Sequence, residues 1–366
     1  MVNIINFLQN LTILFSFVVI WHEINIQAMG KNYSRRKFIK HTLAAGAAIA
    51  GTQIGFAGKL GRDMTAGGAG NPYDAKGLPT VMLGKTGVII PRMAIGLGSR
   101  FLNISTLDEA VEMCNYALDN GLYYWDTAHS YVNETTGAIS EERLGHVLKD
   151  RRKEVFLSTK VEARDPEKAK QEIELSLKRL QTDHLDMLKI HSIESPEDVK
   201  EICKNGGVLD LVLKLKNEGI TRFIGFSGHG DATALKAMVD TGRFDSMLFA
   251  MNHYDTTKGD RQGTLIPAAK EKGMGVMLMK SVRPKETIPG INVSELVRFA
   301  LSLEGPDGIV VGMDSKKVVD SNLNLLRNFR KMNSDEKQKY AVILSPYFRH
   351  ENLEWMKNGY HDGYWG

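Results

Sequence analysis

The amino-acid sequence predicts a (β/α)8 TIM barrel with an N-terminal β-hairpin and a C-terminal helical, aromatic-rich tail. From residue 78 onward, short apolar runs alternate with helical patterns, which is the order of a parallel sheet with crossover helices. Eight such units occupy about 250 residues, the usual size of this barrel. Glycine also follows three of the helical patterns, at Gly121, Gly219 and Gly273, where a left-handed residue turns the chain toward the next strand.

A doubly wound α/β sheet is the rival fold. It would carry a Gly-x-Gly-x-x-Gly turn after an early strand, where glycine lets the backbone approach a dinucleotide. Residues 96–101, Gly-Leu-Gly-Ser-Arg-Phe, supply only the first two of these glycines. The barrel is therefore favoured, and function is expected at the rim where its strands end.

The predicted elements begin with a hairpin, whose apolar strands at 81–83 and 88–90 flank a Gly-Lys-Thr-Gly turn. Barrel strands are expected at 93–97, 122–125, 155–159, 185–190, 223–226, 247–251, 276–279 and 309–311. Helices are expected at 107–119, 141–149, 167–180, 210–218, 233–239, 265–272, 293–302 and 316–329. Residues 331–366 lie outside the repeat and are predicted to form a helix at 334–344 and a tail. We expect the tail to cover a face of the barrel, and lining of a pocket is the alternative.

Composition indicates a soluble globular protein with a full core, since 43% of the 366 residues are hydrophobic and 25% are charged. Two cysteines, Cys114 and Cys203, are too few for a disulfide framework, a zinc ribbon or an iron–sulfur cluster. The formal net charge is +4, but residues 1–62 contribute +6, so residues 63–366 carry −2. The folded part therefore lacks the basic surface that would bind nucleic acid or an anionic membrane.

Residues 1–57 are predicted to be an export leader. Two arginines, Arg35 and Arg36, precede an apolar, Ala- and Gly-rich run at 43–51 and small residues near Phe56-Ala57-Gly58. This order resembles a twin-arginine signal. The resemblance implies that export machinery carries an already folded, cofactor-loaded protein from the cytoplasm to the periplasm or the membrane. A disordered basic leader is the alternative interpretation.

A second apolar stretch, at residues 4–21, precedes this signal. Two apolar segments around one export signal are unexpected, so we hypothesise that translation begins at Met29 and that residues 1–28 are upstream sequence. Peptides from residues 1–28 in the mass spectrum of the precursor would contradict this hypothesis. Residues 58–77, rich in Gly, Asn, Pro, Asp and Ala, are predicted to be a linker before the barrel domain at 78–330.

Three consecutive strand patterns end in polar residues. The first ends at Asp126 and runs into a loop with Tyr131, and the next two end at Lys160 and His191. Since parallel strands end at the same rim, these side chains are expected to lie together. A phenol has a pKa near 10, which a neighbouring ammonium lowers, and a carboxylate keeps that ammonium charged. With a histidine to orient a carbonyl group, the set suits proton delivery in carbonyl reduction.

Each of these residues alone also has a structural interpretation. Asp126 could cap the following helix, and Lys160 could be a solvated rim residue. His191 could make a structural hydrogen bond, and Tyr131 could be an ordinary loop residue. Their joint order after successive strands is much less frequent by chance, so we interpret them as one site.

The sequence resembles the aldo-keto reductases over roughly residues 78–330, with the family's motifs in the same order and at similar spacing. The matching stretches are Trp-Asp-Thr-Ala-His-Ser-Tyr at 125–131, Ser-Glu-Glu-Arg-Leu-Gly at 140–145, Leu-Ser-Thr-Lys at 157–160, Asp-Met-Leu-Lys-Ile-His at 186–191, Ile-Gly-Phe-Ser-Gly-His at 224–229, and 312–322. The resemblance implies a barrel that reduces aldehydes and ketones with NADPH or NADH, or runs the reverse oxidation. It also implies that Tyr131 is the general acid, with Lys160 and Asp126 as its pKa-lowering pair and His191 as the carbonyl-orienting partner.

The resemblance further implies residues that bind the nicotinamide end of the cofactor. Ser227 and Asn252 match groups that hold the carboxamide, and Tyr254 matches the aromatic residue that stacks on the ring. Lys280 would contact the pyrophosphate or the substrate. No metal is expected, because hydride transfer from a nicotinamide requires none.

The last predicted helix is expected to bind the adenosine end. Its opening residues are Gly312, Ser315, Lys316 and Lys317, and free amides at a helix start together with lysines suit a phosphate. By resemblance, Asn322 would hold the adenine. NADP(H) is the expected cofactor. Val318 stands where an Arg or Gln often contacts the 2′-phosphate, which keeps NAD(H) as the alternative.

The favoured function is therefore an NAD(P)H-dependent oxidoreductase acting on a small carbonyl or sugar-like substrate. A metal-dependent hydrolase on a similar barrel is suggested by His129, His191, His229 and His253. Against it, no His-x-His pair follows the first strand, and an ammonium at the rim would repel a cation. A cofactor-binding regulatory subunit with little turnover is also compatible with the four rim residues.

Overall fold

The computed structural model describes residues 72–230, 232–251, 261–282, 292–347, 360 and 362. These residues belong to one compact unit, Ala66–Gly366. The predicted leader at 1–57 and the predicted cofactor residues Asn252 and Tyr254 lie outside the described residues. None of the helices within the described ranges has both the length and the apolar character that a membrane span requires.

Eight parallel strands close into a barrel, so the predicted fold class is confirmed. In chain order the described strands are β1 (Thr80–Met82), β2 (Ile89–Pro91), β3 (Met93–Gly96), β4 (Tyr124–Asp126), β5 (Val132–Asn133), β6 (Ala138–Ile139), β7 (Phe156–Val161), β8 (Leu185–Ile193), β9 (Thr221–Gly228), β10 (Ser246–Ala250), β11 (Gly275–Met279) and β12 (Gly308–Gly312). The barrel runs β3-β4-β7-β8-β9-β10-β11-β12, and β12 pairs with β3 to close it. Each predicted barrel strand overlaps one of these strands.

The hairpin of β1 and β2 covers the end of the barrel where its strands begin. The Tyr123 hydroxyl, just before β4, donates to the carbonyl oxygen of Ile89 at 2.6 Å. The Lys85 amide, in the hairpin turn, donates to the carbonyl oxygen of Gly273 at 2.8 Å, just before β11. The opposite rim, where the strands end, therefore remains the end at which a site can form.

Helices connect the strands on the outside of the barrel. They are α1 (Ser99–Leu102), α2 (Leu107–Asp119), α3 (Ser140–Arg151), α4 (Pro166–Arg179), α5 (Pro196–Cys203), α6 (Val208–Asn217), α7 (Ala232–Asp240), α8 (Ile266–Glu271), α9 (Val293–Leu301), α10 (Lys316–Arg327) and α11 (Ser334–Leu344). Both α2 and α11 span their predicted ranges, because each begins with a capping box that satisfies its first free amides. The three predicted cap glycines have φ angles of 94°, 75° and 72°, in the left-handed region.

Several features depart from the predicted layout. Helices α1 and α5 and the hairpin of β5 and β6 were not predicted, because elements of four, eight and two residues are too short to show a period. Tyr73, within the predicted linker, is buried and stacks on Tyr123 with ring centroids 5.0 Å apart. The packed structure therefore begins before the predicted boundary at residue 78.

Candidate active site

Strands β4, β7 and β8 bring Asp126, Lys160 and His191 to one rim, and the loop after β4 adds Tyr131. Pairing of β4 with β7 sets Asp126 opposite Ser158, two residues before Lys160. The Lys160 ammonium lies 2.7 Å from Asp126 Oδ2 and donates to the Tyr131 hydroxyl at 3.1 Å. The structure thus brings together the four residues that the sequence predicts, and none is more than 7% exposed.

Gly98 helps to fix the Tyr131 ring. A Cβ atom at residue 98 would lie 3.1 Å from Cε2 of that ring, a distance at which one of the two would have to shift. On another side of the ring, Lys160 Nζ lies 4.5 Å from the ring centroid. The phenol is therefore held between a glycine and an ammonium group.

Lys189 is a buried member of this site that the sequence reasoning missed. Its ammonium donates to Asp126 Oδ1 at 2.5 Å and to Ser158 Oγ at 2.6 Å. The signal was present, because Lys189 lies two residues before His191 and strand side chains alternate between faces. A charged residue on the same inward face as a candidate catalytic histidine belongs to the same site.

The two lysines decide the charge state of Asp126. Burial by itself raises the pKa of this carboxyl, but the neighbouring charges of Lys160 and Lys189 outweigh it, and the pKa lies below its usual value. Burial lowers the pKa of the Lys160 ammonium, and Asp126 opposes that effect. The carboxylate is therefore charged at neutral pH and supports the charged form of Lys160.

The tail lines the site, and the expectation that it only covers a face of the barrel is wrong for the two described tail residues. Tyr131 donates to Asp362 Oδ2 at 2.8 Å, and His191 Nε2 lies 3.3 Å from the same oxygen. Lys280 donates to Asp362 Oδ1 at 2.8 Å and to the Tyr360 hydroxyl at 2.7 Å. Lys280 itself has a φ of 61°, which costs a non-glycine residue about 1 kcal/mol and is held by these contacts.

Burial and Asp362 together reverse the pKa shift expected for the phenol. Burial and the neighbouring charge of Asp362 raise the pKa of Tyr131 well above its ordinary value. The sequence predicts a lowered pKa, because it reveals the ammonium of Lys160 but not a second carboxylate against the hydroxyl. With Asp362 in place, Tyr131 is thus a hydrogen-bond donor that holds its proton firmly.

A cleft of about 110 Å³ opens at this rim, smaller than the roughly 300–1,000 Å³ of typical ligand pockets. Its walls include Tyr131, Lys280 and the tail residues Tyr360 and Asp362. Three glycines, Gly96, Gly98 and Gly312, also line it. The two tail side chains therefore occupy space at the mouth of the barrel that a ligand would otherwise use.

The cleft fits a nucleotide cofactor by the chemistry of its walls. Glycine backbone lets a ligand approach closely, and the cations of Lys280 and Arg100 stand at the cleft. Arg100 pairs with Asp314 at 2.5 Å, just before α10. The start of that helix presents free amides, which suit a phosphate, next to the glycine-lined wall.

Five further predicted cofactor residues are described by the structure, and they lie outside the cleft walls. Ser227 is buried in β9 and its Oγ accepts from the Ser192 amide at 3.3 Å. Ser315 caps α10 by accepting from the Val318 amide, and Asn322 is buried on that helix. Lys317 is exposed, and Lys316 pairs with Glu112 of α2 instead of facing the cleft. Gly312 and Lys280 are thus the predicted cofactor residues that the structure places in the cleft.

Of the histidines behind the hydrolase alternative, His129 lies apart from His191 and His229, and His253 lies outside the described residues. His129 lies 3.3 Å from Ser176 Oγ of α4, while His191 and His229 face Asp362. Burial lowers the pKa of His229 to about 3, so its ring is neutral. Across the described part of the chain, no group of three or more His, Cys, Asp or Glu side chains has the geometry of a metal site.

Comparison with known proteins places the chain in a family. The profile of the aldo/keto reductase family matches residues 93–283, just over half of the chain. L-galactose dehydrogenase of Arabidopsis thaliana is 28% identical over 320 residues, which cover 75% of this chain and 95% of the relative.

Two solved structures share the fold. Aldo-keto reductase AKR11C1 from Bacillus halodurans, in its holo form, has a TM-score of 0.60 at 19% identity over 73% of this chain and 96% of its own. An aldo-keto reductase from Klebsiella pneumoniae in complex with NADPH has a TM-score of 0.59 at 20% identity, over 74% and 95% of the two chains. At these identities the two structures support the fold alone. Together with the rim geometry and the family profile, they lead to one conclusion: the chain belongs to the aldo/keto reductase family and is an oxidoreductase.

Proposed function

We propose that this reductase transfers hydride between NADP(H) and the carbonyl carbon of a small, sugar-like molecule. The observation that carries the proposal is that Tyr131 and His191 converge on one oxygen position, which Asp362 Oδ2 marks at 2.8 and 3.3 Å. A substrate carbonyl oxygen at this point would have the proton donor and the orienting group on it at once.

Each side chain has a distinct part in this chemistry. During reduction the Tyr131 hydroxyl gives its proton to the carbonyl oxygen, and the resulting phenolate is stabilised by the Lys160 ammonium at 3.1 Å. Asp126 keeps Lys160 charged, and His191 orients the carbonyl group. When bound, the nicotinamide supplies the hydride or accepts it in the reverse direction.

A sugar-like substrate is supported by the relatedness to L-galactose dehydrogenase, which spans nearly the whole relative. NADP(H) is supported by the neighbour solved with NADPH, whereas Asp314 beside the start of α10 would repel an additional phosphate. Affinities for NADPH and NADH, from quenching of protein fluorescence, distinguish the two cofactors. At least tenfold tighter binding of NADH would reverse the cofactor assignment.

A cofactor-binding subunit with little turnover is the second candidate, because Asp362 fills the proposed carbonyl position. One assay separates the two functions. The purified protein is mixed with NADPH or NADH and a panel of aldehydes and sugars, and reduced nicotinamide is followed by absorbance. Binding without turnover in either direction would favour the subunit, and failure to bind either nucleotide would contradict both functions.

For the leader, we propose export through the twin-arginine route, on the strength of Arg35 and Arg36 before a weakly apolar run. The enzyme would fold and load its cofactor in the cytoplasm and act in the periplasm or at the membrane. Replacing both arginines with lysine should leave the protein in the cytoplasmic fraction. Equal periplasmic amounts of the variant and the wild-type protein would refute this route.

A further inference from the structure

Asp362 is bound in the site as a ligand would be. Its Oδ2 accepts from Tyr131 at 2.8 Å, and its Oδ1 accepts from Lys280 at 2.8 Å and from Tyr360 at 2.9 Å. The carboxylate is 6% exposed. Hydrogen bonds between charged groups are roughly twice as strong as neutral ones, so this is a firmly held carboxylate.

The carboxylate excludes a substrate from the position where chemistry is proposed to occur. Tyr131 has one O–H group, and it cannot donate to Asp362 and to a carbonyl oxygen at the same time. Asp362 also opposes the phenolate that proton transfer creates, because two negative charges would then lie within hydrogen-bond distance. The arrangement in the structure is thus a resting state from which Asp362 must withdraw before turnover.

The surrounding charges explain why the site accepts an internal carboxylate. Asp126 lies between two buried lysines, Lys160 and Lys189, at 2.7 and 2.5 Å, and it can neutralise only one of them. An uncompensated buried charge is strongly destabilising. The negative charge of Asp362 pairs directly with a third cation, Lys280, at 2.8 Å and acts on Lys160 through its field, so its binding stabilises the resting enzyme.

We propose that Asp362 is an internal competitor of the substrate, a carboxylate of the chain's own tail that binds at the carbonyl position and blocks it. This inference rests on the proposed function. A competitor within the same chain reduces the fraction of enzyme that can bind substrate, and so raises KM for every substrate by the same factor. Asp362 should also weaken the binding of free carboxylates such as acetate by the same factor, since they would bind to the same donors, Tyr131 and Lys280.

The test uses the full chain and its variants Asp362→Ala and Asp362→Asn, assayed with NADPH and two unrelated aldehydes. We expect KM for both aldehydes to fall by one common factor, about tenfold or more, with kcat within about twofold of the wild-type value. The inhibition constant of acetate should fall by the same factor. Asp335→Asn removes an exposed carboxylate at the start of α11 and is the matched control. It should leave KM, kcat and the inhibition constant of acetate unchanged.

A second measurement does not depend on activity. Calorimetric titration of the nucleotide-free protein with acetate should show binding to Asp362→Ala and about tenfold or more weaker binding to the wild-type protein. Equal acetate affinity in the two proteins, or a fall in kcat of tenfold or more in both Asp362 variants, would overturn the inference. If the Asp362 variants oxidise NADPH at the wild-type rate and their KM values for the aldehydes are unchanged, the inference is overturned while the proposed function stands. Absence of turnover in the wild-type protein and the variants alike would overturn both.

Discussion

Two buried aspartates near opposite ends of the barrel have the same kinds of neighbour. Asp186, the second residue of β8, lies 2.8 Å from Arg152 and 2.7 Å from Arg222, and Tyr73 donates to it at 2.7 Å. Asp126, the last residue of β4, forms ion pairs with Lys160 and Lys189, and Lys160 in turn donates to the Tyr131 hydroxyl. Each site is therefore one carboxylate with two cations and a tyrosine.

The difference lies in the kind of cation and in what the tyrosine faces. Arginine stays charged in proteins, whereas a buried lysine can lose its proton. The Tyr73 hydroxyl is committed to Asp186, and burial together with that carboxylate raises its pKa. Tyr131 also donates to a carboxylate, Asp362, but it lies in the wall of a cleft. In the proposed function, the same charge pattern thus serves stability at one end and proton transfer at the other.

Replacing the cleft tyrosine should have the largest effect on activity. Tyr131→Phe removes the proton donor, so we expect kcat for reduction to fall by about 10²–10⁴-fold while nucleotide affinity is kept. Tyr73→Phe is the matched change at the other end and should leave kcat unaltered. Reduction by Tyr131→Phe at a rate close to that of the wild-type enzyme would reject Tyr131 as the acid.

Replacing the aspartate of the other cluster should reduce stability. Asp186→Asn leaves Arg152 and Arg222 without their partner, and we expect a loss of roughly 3 kcal/mol in the free energy of unfolding in urea. Activity per folded molecule should be retained, because Asp186 faces no part of the cleft. If Asp186→Asn unfolds at the wild-type urea midpoint but has a reduced kcat, Asp186 takes part in the chemistry and the two clusters do not differ in role.

Another buried carboxylate, Glu141, differs from both aspartates because one of its oxygens has no hydrogen-bond partner. Its Oε2 has no hydrogen bond, and burial raises its pKa from 4.5 to about 7. A raised folded-state pKa gives stability that is complete below pH 4.5 and is lost as pH rises through 7. Glu141→Gln should remove this loss, a gain of roughly 2–3 kcal/mol at pH 8, while the exposed Glu142→Gln should not. Identical stability profiles from pH 4 to 8 would contradict the shifted pKa.

Lys189 should have the smallest effect, since it acts on Tyr131 only through Asp126 and Lys160. Lys189→Met removes a positive charge that lowers the pKa of Lys160. The pKa of Lys160 should rise, so activity that needs the ammonium should persist to higher pH, with kcat lower by about tenfold because Asp126 loses one anchor. If the activity of Lys189→Met falls at the same alkaline pH as that of the wild-type enzyme, Lys189 has only a structural role.

The barrel and the four rim residues could be predicted because their signals are local. Strand and helix periods repeat within about ten residues, and strands of a parallel barrel end at one rim whatever their long-range contacts. The same alternation contained the signal for Lys189, two residues before His191. The local sequence pattern thus contains the signal for the barrel strands and for the side chains that these strands bring to the rim.

Asp362 could not be predicted in this way. Its bond to Tyr131 joins residues 231 positions apart, and no period of a strand or helix connects them. The aromatic character of the tail indicated that it packs on the barrel but not where. The error over the pKa of Tyr131 followed in part from this, since burial and one unseen carboxylate together outweighed the visible lysine.

The two partners of the Lys280 ammonium, the tail and the expected cofactor, would affect the binding of each other. It binds the Asp362 carboxylate in the structure, and it is also the group expected to meet the cofactor pyrophosphate or the substrate. If nucleotide and tail compete for one cation, each weakens the binding of the other by an identical factor. Bound nucleotide would then weaken the hold of the tail on the carbonyl position without abolishing it, and so favour the binding of substrate.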